Sequence, residues 1–108
     1  MINQQKIVYG TLEKDSQMKF RKNLRAYLYH QNISMNKLAK MICEYRKVTC
    51  TSSVERSTRR IVSTGRKTIN LSEAEEIANV LRIDAGDLCF LNYNDFVYRY
   101  CTLQEFAV

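Results

Sequence analysis

Three arginines, Arg56, Arg59 and Arg60, stand among small hydroxyl residues in the stretch SSVERSTRR, Ser52 to Arg60. An arginine side chain is a planar fork of N–H donors that grips two acceptors at once, either the O6 and N7 of a guanine or two oxygens of a phosphate. On a helix through this stretch Arg56, Arg59, Arg60 and Ser63 fall at i, i+3, i+4 and i+7, which is one face. Val54, Thr58, Ile61 and Val62 turn the other way and supply an edge to bury. The chemistry this arrangement offers is recognition of a polyanion.

The charge of the whole chain points the same way. The 108 residues hold 17 Lys and Arg against 11 Asp and Glu, for a net +6. Positions 19–67 are strongly basic, with only Glu44 and Glu55 opposing the lysines and arginines there, whereas positions 68–108 are acidic. A basic region of this kind steers a protein toward a negatively charged partner.

Catalysis has little to stand on. The sole histidine, His30, has no nucleophile or paired carboxylates arranged around it, and no phosphate-binding loop is present, so the chain reads as a non-enzyme with no cofactor. Cys43, Cys50, Cys89 and Cys101 lack paired CxxC spacing. With neither a signal peptide nor an apolar span, they read as reduced thiols of a cytoplasmic chain without a structural metal, and no membrane partner is expected.

Several elements must position the arginines. Phe20, Leu24, Tyr27 and Leu28 form an apolar stripe, which predicts a first helix from Phe20 to Gln31 or Asn32 after a polar break through Gln17. Ser34 caps a second helix whose inner face is Leu38, Ala39, Met41 and Ile42. Positions 43–53 have no clean helical period, although their start can prolong the second helix through Tyr45, and Thr51, Ser52 and Ser53 all offer caps for the arginine helix. Gly65 is a candidate C-terminal cap, and Asn70 with Glu73 has capping-box spacing before a fourth helix with Leu71, Ala74, Ile77, Ala78 and Leu81 inside. DAGDLCF reads as a short fifth helix anchored by Leu88.

Both ends have β character. Lys6 to Leu12 reads as a strand or an ordered arm, and the alternation of Phe96, Tyr98 and Tyr100 with Val97, Arg99 and Cys101 predicts a strand from Asp95 to Leu103. That strand pairs either with Lys6 to Leu12 or across a two-fold axis, and the second arrangement makes Phe96, Tyr98 and Tyr100 candidates for a dimer interface.

Leu24, Asn32, Ile33, Ser34, Leu38 and Ala39, followed by Val54, Ser57, Thr58, Gly65, Asn70, Ile77, Ala78, Leu81, Ile83 and Leu88, resemble helix-turn-helix regulators of the Cro and phage-repressor type. The likeness covers positions 20–42 and 54–90. It departs at Met35, where that family commonly has a Gln, in a longer connection between Ala39 and Val54, and at Arg59, which takes a usually apolar position.

The resemblance implies a mainly α, compact four- or five-helix lambda-repressor-like domain over 19–90, with an inserted segment near 43–53. An N-terminal arm or strand (1–18) and a C-terminal strand-like extension (91–108) flank it. It implies a homodimeric, sequence-specific duplex-DNA-binding regulator of phage or mobile-element type. Arg56, Ser57, Arg59 and Arg60 are the base-reading candidates; Lys37, Arg46, Lys47, Arg66 and Lys67 are candidates for the DNA backbone. The rival reading is a protein-interaction module on the same fold, such as an antirepressor or an inhibitor of a host protein.

Overall fold

The apolar stripe of the first helix is seated as its period demands: Phe20, Leu24 and Leu28 are buried along α1, Lys14–His30. The computed structural model describes residues 7–8, 10–63 and 68–102. The polar run before Phe20 is helical rather than a break. Asp15 lies in the first turn, where a negative charge meets the positive end of the helix dipole, and pairs with Lys19 at 3.3 Å. Gln17 donates its side-chain amide to the Leu12 carbonyl at 2.8 Å, which ties this first turn to the chain preceding it.

That preceding chain is a hairpin of β1, Ile7–Val8, and β2, Thr11–Leu12, paired antiparallel. Gly10 takes a positive φ of 76° in the turn, a conformation that costs glycine little. The far edge of β2 meets the middle of the chain: Leu12 N–H donates to the Ile69 carbonyl at 3.0 Å, and Leu71 N–H donates to the Gly10 carbonyl at 2.7 Å.

Four further helices follow in the expected order. α2 spans Met35–Arg46, with Ser34 Oγ accepting from Lys37 N–H at 3.1 Å. α3 spans Ser52–Val62, and of its three possible hydroxyl caps Thr51 is the one used. α4 spans Leu71–Leu81 and begins in the capping box of Asn70 and Glu73. α5, Ala85–Phe90, is capped by Asp84, whose carboxylate accepts from Asp87 N–H at 3.0 Å. The segment expected as an irregular insertion divides in two. Cys43 to Arg46 complete α2, which Lys47 closes in the left-handed conformation, with Val48 N–H reaching back to the Cys43 carbonyl.

The C-terminal strand expected from Asp95 to Leu103 is absent from its described part, which is helical instead. α6 covers Tyr93–Val97 and continues through a π-helical turn, Tyr98–Thr102; Leu103 lies outside the described residues. Phe96 and Tyr100 are spaced i, i+4 as well as i, i+2, i+4 along an alternating run, so both periods fit the sequence. Packing decides between them. Phe96 is wholly buried, Tyr100 half-buried and Cys101 buried, while Tyr98 between them is 66 % exposed. Phe96 and Tyr100 meet Tyr27 of α1 edge to face, with ring centroids 6.5 Å apart in each pair.

The result is a mainly α-helical domain with one continuous core running from Leu12 through Phe20, Leu38, Ile61, Ile69, Ile77 and Leu88 to Phe96. Among the described residues no helix is long and apolar enough to cross a membrane.

Candidate nucleic-acid interface

α3 has the two faces its sequence predicts. Thr58, Ile61 and Val62 are buried, and Arg56, Ser57, Arg59, Arg60 and Ser63 are exposed on the outside. Thr58 is accommodated inside because its hydroxyl donates to the Val54 carbonyl at 2.8 Å, one turn back.

The carboxyl end of α3 is held by two arginines of α1. Arg21, 8 % exposed, donates its Nε–H to the Ile61 carbonyl at 3.1 Å. Arg25, one turn further along α1, donates its Nε–H to the Val62 carbonyl at 3.1 Å. Carbonyls at the end of a helix have no partner within it, and they lie at the negative end of its dipole. Two guanidinium groups therefore cap α3 and fix its axis against α1. The sequence signal is the i, i+4 spacing of Arg21 and Arg25, but a backbone carbonyl has no residue signature to pair with it.

The exposed arginines do not share one situation. Arg56 and Arg60 make no ion pair or hydrogen bond among the described residues, so their forks are free to meet a ligand. Arg59 is drawn toward α2, its Nη2 donating to Asn36 Oδ1 at 2.9 Å. This tether orients the Arg59 fork toward α2. It also sets Arg59 apart from the pair beside it.

The candidates for backbone contact are scattered. Lys37 is exposed in the first turn of α2. Arg46 closes a two-pronged pair with Glu76 of α4, Nε to Oε2 at 2.7 Å and Nη2 to Oε1 at 2.5 Å, which raises its pKa further. Its charge is already matched within the chain. Lys47 is exposed at the left-handed cap of α2, while Arg66, Lys67 and the Gly65 cap lie outside the described residues.

The proposed dimer surface does not form as a strand face. Phe96 is enclosed in the core, and Tyr100 packs on Phe96 and Tyr27 while donating its hydroxyl to Asp87, which also receives Arg99 at 3.1 Å. Burial and the Asp87 carboxylate push the Tyr100 hydroxyl up to about 12. Tyr98 alone of the three stays exposed.

Between α1, α2 and α3 runs an open groove of about 580 Å³, lined by Arg25, Met35, Arg59, Val62 and Ser63. All four cysteines are free thiols, and among the described residues no group of three or more His, Cys, Asp or Glu could hold a metal ion. No family model matches the chain, and neither a curated protein nor a solved structure matches it.

Proposed function

We propose that the protein is a sequence-specific duplex-DNA-binding regulator that reads the major groove with α3. The observation that carries this reading is the exposed pair Arg56 and Arg60 on a helix whose opposite face is buried and whose carboxyl end is pinned by Arg21 and Arg25. A rigidly seated helix can present two arginine forks to adjacent guanines at a fixed spacing, with Ser57 beside them as a further hydrogen-bonding group. Lys37 and Lys47 are assigned to phosphates around this helix.

A pair of copies on a two-fold operator extends the same reading, since two weak half-sites become one tight site when they are linked. The joining surface is then other than a β-strand of the tail. Origin in a phage or mobile element, and a role in repression, belong to the resemblance and are proposed with it.

Selection of bound duplexes from a random library, at stated salt, tests the reading. An enriched sequence, lost in the Arg56→Ala, Arg60→Ala double variant, supports it. Failure of the folded protein to bind any duplex, together with stoichiometric capture of a protein partner, would favour an interaction module instead.

A further inference from the structure

The groove between α1, α2 and α3 is lined by two arginines together with apolar side chains. Arg25 and Arg59 are the charged members, and Met35 and Val62 are the apolar ones. Each guanidinium is oriented by a hydrogen bond that uses only part of its fork: Arg25 spends its Nε–H on the Val62 carbonyl, and Arg59 spends one Nη2 hydrogen on Asn36 Oδ1. A guanidinium has five N–H donors, so each retains others for a ligand while its direction is set in advance. Orienting a long side chain before binding removes much of the ordering cost that a free surface arginine meets on contact.

Among the described residues no acidic side chain lines this groove. Arg46, by contrast, faces Glu76, and Arg99 faces Asp87, so these two are matched within the chain. Two preset cations with no facing carboxylate among the described residues fit a doubly hydrogen-bonded anion, and the half-buried Met35 beside them fits the carbon skeleton attached to it.

We propose that Arg25 and Arg59 form a phosphate cradle that grips a phosphodiester of duplex DNA, with the half-buried Met35 against the neighbouring deoxyribose and Asn36 as the residue that positions Arg59. The proposal rests on the duplex-binding reading and sharpens it. Arg59 moves from base reading to backbone register, and the cradle fixes where α3 sits along the groove, leaving Arg56 and Arg60 to discriminate bases. The shared chemistry is a phosphate oxyanion, whose source is either the nucleic-acid backbone or free phosphate.

The test compares wild type, Arg25→Gln, Arg59→Gln, the double variant and Arg56→Ala, each checked for its helical circular dichroism and urea midpoint. Binding of a selected duplex and of a random-sequence duplex is measured by anisotropy across a salt series. A phosphate contact contributes roughly 0.9 to the slope of log affinity against log salt, so the double variant is expected to lose about two units of slope. The affinity loss should be the same factor on both duplexes, whereas Arg56→Ala should lose more on the selected one. Asn36→Ala is expected to weaken both duplexes equally while the urea midpoint holds. An unchanged slope in the folded double variant overturns the cradle even if wild type binds DNA well. A second arm titrates inorganic phosphate and follows the arginine Nε–H resonances. If wild type binds no duplex, phosphate-induced shifts at Arg25 and Arg59, absent in the double variant, uphold an anion cradle for free phosphate and sink only its assignment to DNA. No shifts and no duplex binding overturn the cradle as well.

Discussion

Arg21 of α1 and Ile61 of α3 are joined by a hydrogen bond of 3.1 Å from a buried guanidinium to a backbone carbonyl, forty positions apart in the chain. The bond couples the first helix of the core to the helix that carries Arg56 and Arg60. Hydrogen bonds to charged groups contribute about 1.5–3 kcal/mol, so Arg21→Met is expected to destabilise the fold by an amount in that range. Urea denaturation measures it, and a midpoint equal to wild type would show that the cap is dispensable.

Arg56→Ala and Arg60→Ala should leave the unfolding free energy from urea denaturation within about 0.5 kcal/mol of wild type, because both side chains are exposed. Each is expected to cost roughly 1–3 kcal/mol of discrimination at one base position of the selected duplex. Competition with single-base-substituted duplexes reads this directly. Equal losses on every competitor would assign the pair to phosphates.

Glu76→Gln releases Arg46 from its carboxylate partner. The pair is surface-exposed enough that its loss should cost only about 0.2–1 kcal/mol of stability. If Arg46 can reach the DNA backbone, the variant gains affinity for random duplex and its salt slope steepens by about one unit. An unchanged slope would remove Arg46 from the interface.

The tail is core. Phe96→Ala is expected to destabilise the protein by about 3–5 kcal/mol, whereas Tyr98→Ser should stay within about 0.5 kcal/mol. Truncation after Phe90 removes Phe96, Tyr100 and Cys101 together and should abolish cooperative thermal unfolding at every concentration. A truncated chain that melts cooperatively would return the tail to the role of an appendage.

Alkaline pH probes two acids that the fold shields, the buried Cys89 and the half-buried Tyr100. Burial, with Glu75 and Asp84 nearby, pushes the Cys89 thiol up to about 12 from 9.0, and burial with the Asp87 hydrogen bond pushes Tyr100 up to about 12 from 10.0. In both the fold favours the neutral form. Their contribution is therefore complete below the unfolded values and is lost as pH rises through 9.0 and 10.0 toward about 12. The urea midpoint should fall across that window, and Tyr100→Phe should remove the part of the fall that begins near 10.0.

Local patterns carried much of this fold. The stripe of Phe20, Leu24 and Leu28, the Ser34 cap, the Asn70 and Glu73 box and the two faces of α3 each depend on neighbours within a turn or two, and each is formed. Tertiary partners were out of reach. Arg21 and Arg25 meet backbone carbonyls, which any residue could supply, and Asn36 is one amide among several until α2 and α3 are packed. In the tail, Phe96 and Tyr100, one helical turn apart, both meet the ring of Tyr27, a contact from a distant part of the chain that the alternating pattern does not reveal. The first turn of α1 was missed because its polar residues serve as a helix start rather than as a gap.

The hairpin that docks on Ile69 and Leu71 has a consequence for synthesis. Leu12 and Gly10 leave the ribosome long before the residues that satisfy them, so the open edge of β2 waits while α1, α2 and α3 emerge. Contacts so far apart in the chain form late, because loop closure must precede them. The nascent polypeptide thus stays incomplete at this hairpin until α4 has started, and a pause or a stop codon placed before Asn70 would leave the hairpin exposed to chaperones and proteases.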